Sequence, residues 1–492
     1  PGNKSEKLGI GPLAPKAQLC RIRHAQTGLM GRSRNNHPMH QPPHEPHFLD
    51  NLRSELSNGR LWFDRAVVLV YAIAAGLSVV GFTLLADWGF GLFERIYSFN
   101  SLAILLWTPA LTAAIVWATR RHCPGAGGSG MPQVMAALDP ALPPGAQGRF
   151  VSLRLTLAKI GLSTAGLMAG LSIGREGPSV QVAAGVMQHA RRWLRPESGM
   201  SNHALLVAGG AAGIAAAFNA PLAGVVFAIE ELSRKLESRN SGLIITAIVL
   251  AGLMGVSTFG NITYFGVIKV PILGWNALFP GLMVALACGL LGGVFARLMA
   301  ISLTGSSPDR FSQWRSLHPV RFAAAGGLAI AVIGLVSDGS TFGAGSHAVG
   351  QMLAGQAEVP SLYVLLKFIA TWLAAWCGVP GGIFAPALSI GAGVGSNIAQ
   401  LAAPDISAAL IAIGMAAFLA AVTQAPLTAF IIVMEMVDGR ALVLSLMMAA
   451  MLASLLSRMI SRPLYATLAE HMIAGLQPPP PAAVQAETPP AR

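Results

Sequence analysis

The sequence predicts an all-α, polytopic membrane protein. Only 11% of its 492 residues are charged, against roughly 25% in a typical soluble domain. Hydrophobic residues make up 53% of the chain, and the mean hydropathy is +0.59. Runs without charge recur at 66–85, 102–119, 242–258 and 442–456. Because about 20 apolar residues cross the hydrocarbon core of a bilayer, several such runs indicate membrane spans rather than one buried core helix.

The charge of the chain is basic, with a formal net charge of +12. Such charge can mark nucleic-acid binding, but here it fits the loops of a membrane protein, so we expect no nucleic-acid partner. Residues 1–46 contain seven Lys or Arg and two Glu. The positive-inside rule therefore predicts a cytoplasmic N-terminus, and the connection over 297–321 is expected on the same side.

Three regions are predicted. Residues 1–46 form a basic, Pro- and His-rich tail that we expect to be disordered, although its closely spaced histidines leave a metal site open as an alternative. Residues 47–475 form one integral domain, in which we expect a short amphipathic helix near 48–59 before the first membrane span, and 476–492 form a Pro/Ala-rich tail. Four scattered cysteines predict neither a disulfide framework nor a zinc site, and no cofactor is expected.

The integral domain contains an internal repeat. APLAGVVFAIE at 220–230 matches APLTAFIIVME at 425–435 with a constant offset of 205 positions. A Gly-rich break ending in Pro precedes each copy, GREGP at 174–178 and GGIFAP at 381–386. Two halves with interrupted apolar segments at corresponding positions are typical of transporters, whose binding site lies where the repeats meet.

Three Gly/Pro-rich breaks interrupt apolar sequence: GGSGMP at 127–132, GREGP at 174–178 and GVPGGIFAP at 378–386. Glycine lets the backbone turn tightly, and proline suits the first helical turn. Each break therefore predicts a helix N-terminus, and irregular backbone inside a membrane must be buried in protein or line a cavity. Several positive dipole ends at one cavity would bind a small anion without a fixed cation.

The order of GSGMP, GREGP and GGIFAP, followed by Tyr465, closely resembles the CLC family of chloride channels and proton-coupled chloride transporters. The usual first motif is GSGIP, and Met131 replaces its Ile. The resemblance covers roughly residues 47–475 and implies an inverted-repeat subunit of about 18 tilted and part-spanning helices. It further implies a homodimer in the lipid bilayer with one pore per subunit, and we expect no C-terminal regulatory (CBS) domain.

The resemblance also assigns a central anion site. Ser129 and Tyr465 would donate their hydroxyls to the ion, and the backbone amides of Ile383 and Phe384 would complete the site. The alternative for Ser129 is helix capping, and the alternative for Tyr465 is a place in the interfacial aromatic belt.

An outer site and a gate follow from the second motif. The amides of Arg175, Glu176 and Gly177 would face the outer anion. Glu176 resembles the external gating glutamate, which blocks the path when deprotonated and swings away when protonated. The alternative is a structural ion pair between Glu176 and Arg175.

An inner proton acceptor is expected at Glu231, which resembles the internal proton glutamate of the family. Adjacent side chains on an α-helix point about 100° apart, so we expect only one of Glu230 and Glu231 to face the pathway. The alternative is a helix-end charge beside Arg234 and Lys235. Related transporters carry acidic residues just after the first motif, whereas this chain has Gln133 and Met135 nearby, so a proton route through such an acid is missing or altered.

The predicted function is secondary active exchange of chloride for protons, with chloride favoured because Ser129 and Tyr465 are both present. The alternative is a passive chloride channel, gated by voltage or pH, on the same scaffold. No Ser/His/Asp set, metal cluster or nucleotide loop supports an enzyme. The expected location is the bacterial inner membrane.

Overall fold

A computed structural model of the chain describes residues 59–195, 200–233, 241–260, 265, 277–356, 360 and 362–476. The tail expected over 1–46, its histidines and most of the helix expected near 48–59 lie outside the described residues. So do Arg234, Lys235 and all of the expected C-terminal tail except Leu476.

The described residues form 18 α-helices. The first eight are α1 (Gly59–Phe99), α2 (Ile104–His122), α3 (Met131–Leu138), α4 (Leu153–Met168), α5 (Glu176–His189), α6 (Asn202–Ala217), α7 (Pro221–Phe227) and α8 (Ser241–Phe259). The other ten are α9 (Leu278–Thr304), α10 (Arg310–Leu317), α11 (Pro319–Val336), α12 (Ser346–Leu353), α13 (Tyr363–Trp376), α14 (Phe384–Ala402), α15 (Ser407–Thr423), α16 (Pro426–Met436), α17 (Val443–Ile460) and α18 (Leu464–Ala474). The all-α prediction is confirmed, including the expected number of helices.

Eight of these helices are long and apolar enough to cross a bilayer when the short turns that lead into three of them are included: α1, α2, α4, α8, α9, α11, α15 and α17. The four uncharged runs of the sequence lie in α1, α2, α8 and α17. Other helices are much shorter; α3 and α12 have eight residues each. Eight residues rise about 12 Å, against a hydrocarbon core of about 30 Å. The chain is thus an integral, multi-pass membrane protein with part-spanning helices.

The two repeats contact each other reciprocally. The Gly174 N–H donates to the Gly382 carbonyl at 2.7 Å, and the Gly382 N–H donates to the Gly174 carbonyl at 2.7 Å. Reciprocal contacts of this kind arise when two copies of a segment are related by a two-fold axis. Asn219 and Gln424, one residue before each Ala-Pro-Leu, both adopt positive φ, at 55° and 61°. These features fit the predicted inverted repeat.

Four helices, α5, α6, α14 and α15, are buried along most of their length. Small residues allow these helices to pack closely, as is common between membrane helices. A Cβ atom at Gly213 of α6 would lie 2.5 Å from the Ser179 carbonyl oxygen of α5. In the second repeat, a Cβ atom at Gly391 of α14 would overlap the backbone of Gly414 in α15. This close-packed centre holds the breaks that precede α5 and α14.

Candidate functional site

The three sequence breaks converge at the centre of the domain. Besides the pairing of Gly174 with Gly382, the Gly381 N–H donates to the Gly128 carbonyl at 3.1 Å. Gly177 packs directly against Ser129, and a Cβ atom at position 177 would overlap the serine hydroxyl. The structure therefore brings the first turns of α3, α5 and α14 to one place.

A buried lysine holds the first break in position. Lys159 of α4 is fully buried, and its Nζ donates to the Ala126 carbonyl at 2.9 Å and the Gly128 carbonyl at 2.6 Å. Lys367 of α13 does the same in the second repeat, donating to the carbonyls of Thr341 and Gly343 at 2.9 and 2.8 Å. Neither lysine was predicted from the sequence, although the two are 208 positions apart, as are Pro178 and Pro386 of the second and third breaks.

Gln133 supplies the cap of α3. Its Oε1 accepts a hydrogen bond from the Gly130 N–H at 2.9 Å, and its Nε2 donates to the Gly127 carbonyl. The role of Gln133 as a cap was not predicted; the expectation concerned only the lack of an acidic residue just after the first motif. In the structure its amide serves both a donor and an acceptor of the break, which a carboxylate could not do.

The two hydroxyls assigned to the central site are buried and unpaired. Within the described part of the chain, neither Ser129 Oγ nor Tyr465 Oη has a hydrogen-bond partner, although the two side chains lie close enough to interact. Ser129 therefore does not cap α3. Tyr465 is only 1% exposed, so a place in the interfacial belt is excluded. A buried polar group without a partner costs about 1–3 kcal/mol and calls for an explanation, which an anion accepting both hydroxyls would give.

The start of α14 faces the same region. Ile383 precedes the helix and Phe384 is its first residue. The first N–H groups of a helix have no intrahelical acceptor and carry its positive dipole end. The Phe384 ring stacks on Tyr465, with 6.0 Å between centroids and an interplanar angle of 23°. This contact fixes the phenol relative to the first turn of α14.

Glu176 lies between two helix N-termini. It is the first residue of α5 and only 1% exposed, and its carboxylate lies close to Ala385 in the first turn of α14. The second oxygen, Oε2, has no hydrogen-bond partner among the described residues. A Cβ atom at Gly174 would overlap this oxygen, so the glycine makes room for the carboxylate.

Arg175 directs its side chain toward α1. Its guanidinium makes an ion pair with Asp87 and a longer hydrogen bond, 3.5 Å, to the Thr83 carbonyl. Arg175 and Asp87 line a cavity of about 440 Å³ together with residues of α12 such as His347. Asp87 gave no signal in the sequence, because its partner is 88 positions away.

The two adjacent glutamates have different surroundings. They lie in a π-helical turn, Ala228–Leu232, that continues α7, so the α-helical geometry expected there is wrong. The Glu230 carboxylate accepts hydrogen bonds from the N–H groups of Leu427 and Thr428 at 3.0 and 2.6 Å. Glu231, half-buried, lines a cavity of about 610 Å³ that also contains Tyr465. Glu230 lines the same cavity, and it differs from Glu231 in that its carboxylate is engaged with α16. That only one of the two glutamates faces the pathway stays a prediction.

Two cavities meet at Tyr465. The cavity that contains Glu231 is also lined by Met135, Arg458 and Arg462. A second cavity, of about 460 Å³, is lined by Ser129, Ile383 and Tyr465, and by the basic residues Arg120, Arg315 and His471. The hydroxyls of Ser129 and Tyr465 are therefore reached through a cavity lined by basic residues. Tyr465 also borders the cavity that contains Glu231.

Known proteins similar in sequence to this chain are chloride channels and chloride/proton exchangers. The family described as voltage gated chloride channel matches residues 111–458. The H(+)/Cl(-) exchange transporter ClcA of Salmonella typhimurium is 30% identical over 392 residues, which cover 76% of this chain and 80% of that protein. The protein of the same name from Klebsiella pneumoniae is 29% identical over 434 residues, covering 83% and 89%.

Solved structures share the fold. A slow cyanobacterial Cl-/H+ antiporter aligns with a TM-score of 0.70 and 25% identity, covering 84% of this chain and 98% of that chain. A CLC-type fluoride/proton antiporter aligns with a TM-score of 0.68 and 22% identity, covering 82% and 97%; at that identity the match supports the fold alone. The predicted inverted-repeat architecture is confirmed.

Proposed function

The chain belongs to the voltage gated chloride channel family, the CLC family, and from that premise we propose that it exchanges chloride for protons across the membrane, with Glu176 as the gate. The observation that carries this proposal is the position of the Glu176 carboxylate. It lies buried between the first turns of α5 and α14, where a transported anion would be favoured for the same physical reason.

The gate follows from competition for one place. Each helix N-terminus presents roughly half a positive charge, and two of them stabilise one negative charge at a time. A deprotonated Glu176 takes that place and excludes chloride. A protonated Glu176 has no charge to stabilise there, so it leaves and chloride enters. Proton uptake and chloride entry are thereby coupled at a single carboxylate.

Chloride is held by dipoles and hydroxyls rather than by a fixed cation. Ser129 and Tyr465 donate their unpaired hydroxyls to the central ion, and the Ile383 and Phe384 amides donate from the start of α14. The amides of Arg175 and Gly177, with that of Glu176, form the outer site. Partial charges bind the ion weakly enough for its release. The two hydroxyls together favour chloride as the substrate.

The inner proton acceptor in this proposal is Glu231. It lines a cavity that reaches Tyr465, whereas chloride reaches Tyr465 through the separate basic cavity. A proton and an anion can thus approach the centre from different cavities. The positions just after the first motif carry no carboxylic acid, because Gln133 caps α3 and Met135 lines the cavity that contains Glu231. In this proposal Glu231 therefore takes part in the proton route without an acidic residue at those positions.

We place the chain as a homodimer in a bacterial inner membrane, with its N-terminus in the cytoplasm. Leu222, Ile229 and Leu427 are 40–48% exposed where α7 meets α16, which gives an apolar surface for a second copy or for lipid. Arg120 and Arg315 line the basic cavity, and the positive-inside rule assigns that cavity to the cytoplasmic side.

Proton movement in liposomes tests the proposal. Purified protein is reconstituted, a chloride gradient is imposed, and proton uptake is measured beside chloride efflux. We expect protons to move against chloride in the native protein, and Glu176→Gln to move chloride without protons. Native protein that moves chloride alone would support the passive channel instead. Proton coupling that survives in Glu176→Gln would remove the gate assignment.

A further inference from the structure

The glutamates at the ends of the two repeated segments each accept hydrogen bonds from the other segment. Glu230, at the end of the first segment, accepts hydrogen bonds from the Leu427 and Thr428 N–H groups at 3.0 and 2.6 Å. Glu435, at the end of the second, accepts them from the Leu222 and Ala223 N–H groups at 3.2 and 2.7 Å. Each carboxylate therefore caps the helix that begins the other segment.

Together the four hydrogen bonds form a clamp. The first segment runs from Pro221 to Leu232 through α7 and the π turn, and the second is α16. Pro221 and Pro426 occupy the first positions of α7 and α16 and have no N–H to donate. The N–H groups of the next two residues of each helix are therefore the available donors, and the glutamate of the other segment accepts from both. Each carboxylate also faces the positive dipole end of its partner. The two antiparallel segments are thus tied to each other at both ends.

The clamp is symmetric, but its two ends do not carry the same chemistry. Glu230 is followed by Glu231, and both line the cavity that reaches Tyr465. Glu435 is followed by Met436, which is 1% exposed and has no ionisable group. Only the first segment therefore couples a clamp residue to a candidate proton acceptor.

The direction of the Glu231 side chain depends on the π turn. π-helical turns are rare and occur frequently at functional sites. An α-helix turns about 100° per residue, so relaxation of the π turn to α-helix would rotate Glu231 by about that angle relative to its present direction. The bonds from Glu230 to α16 hold the turn in place within the segment.

We propose that Glu230 and Glu435 are positioning residues for proton transfer: by clamping α7 and its π turn to α16, they orient Glu231 toward the cavity shared with Tyr465. The position of the inner acid in the first repeat is thereby set by the second repeat. This inference rests on the proposed function, in which Glu231 accepts the proton.

The experiment measures the reversal potential and the ratio of protons to chloride in liposomes. The variants are Glu230→Gln and Glu435→Gln, which keep the side-chain shape but leave one acceptor oxygen for two N–H donors. We expect chloride uptake to continue and the proton-to-chloride ratio to fall roughly tenfold, as about 1.4 kcal/mol of lost orientation would give. Glu230→Asp, which keeps both oxygens, should retain more coupling than Glu230→Gln.

Asn100→Ala is the matched control, because the Asn100 side chain caps the turn before α2 by accepting from the Leu102 N–H at 3.0 Å. Its loss should lower stability without changing the ratio. If the Glu230 and Glu435 variants lose stability but keep the native ratio and reversal potential, the two glutamates are structural caps only and the inference is wrong.

Glu231→Gln is measured beside the Glu230 and Glu435 variants, and it separates the proton-acceptor role of Glu231 from the positioning role of Glu230 and Glu435. Coupling that persists in Glu231→Gln overturns the assignment of the inner acid itself. Coupling lost in Glu231→Gln but intact in both clamp variants overturns the clamp inference alone.

Discussion

Removing the phenol of Tyr465 tests the central anion site. Tyr465→Phe deletes Oη and keeps the ring, whose stacking on Phe384 at 6.0 Å should be preserved. Because Oη has no hydrogen-bond partner among the described residues, no described protein group is expected to lose a bond. The variant should therefore be at least as stable as the native protein in chloride-free buffer, and only chloride binding should change.

The size of the effect follows from the kind of bond that is lost. A hydrogen bond to a charged group contributes about 1.5–3 kcal/mol, so Tyr465→Phe should raise the Kd for chloride roughly 10- to 150-fold. Ser129→Ala should have an effect of similar size. Chloride at about 100 times the native Kd stabilises the native protein by about 2.7 kcal/mol, and about half to nearly all of that stabilisation should disappear in either variant.

Isothermal titration calorimetry gives the Kd, and thermal unfolding with and without chloride gives the stability. Tyr363→Phe serves as the control. That tyrosine is equally buried, but its hydroxyl lies 2.5 Å from Ser389 Oγ, so the control should lose about 1 kcal/mol of stability and keep its affinity for chloride. Native chloride affinity in Tyr465→Phe, or a loss of stability in chloride-free buffer, would refute the reasoning.

Three further predictions concern the surrounding structure. Gly177→Ala should abolish chloride binding, measured by calorimetry, because its Cβ would overlap Ser129; the native Kd in this variant would mean that the break can shift. Gln133→Ala should lower the free energy of unfolding by about 1–3 kcal/mol, because two backbone groups lose their partner; an unchanged melting temperature would show that water replaces the amide. Asp87→Asn should cost less than about 1 kcal/mol, since the Asp87 side chain is 62% exposed and surface ion pairs contribute little. A larger loss in the same unfolding assay would mean that the pair with Arg175 supports the outer break.

The starts of the part-spanning helices were predictable because their signals are local. Glycine and proline determine where a helix can begin, so the breaks before α3, α5 and α14 could be placed from the sequence. The cap from Gln133 was also within reach. A Gln three residues after the N-cap Gly130 matches half of a capping box, so the sequence carries a local signal for this cap.

The connections between the repeats could not be predicted in the same way. The matching glutamates of the two segments, Glu230 and Glu435, were visible as a constant offset. Their partners depend on which segments face each other, and sequence spacing alone does not give that. The π turn depends on the same tertiary contacts, since an apolar run ending in two glutamates equally favours an ordinary α-helix.

The long-range ion pair and the buried lysines were missed for a related reason. Asp87 and Arg175 come from different helices, and a lone lysine such as Lys159 in an apolar helix shows no partner in the sequence. Its partners are backbone carbonyls of a break, which carry no residue-type signal. A repeat-aware comparison would have paired Lys159 with Lys367.

Anomalous diffraction from crystals grown in bromide would locate the anion directly. We expect a peak within hydrogen-bonding distance of both Ser129 Oγ and Tyr465 Oη, beside the first turn of α14, and a second peak at the Glu176 carboxylate position in Glu176→Gln. Bromide absent from the pocket between the two hydroxyls, at concentrations that support transport, would contradict the claim that helix ends and hydroxyls together hold the transported ion.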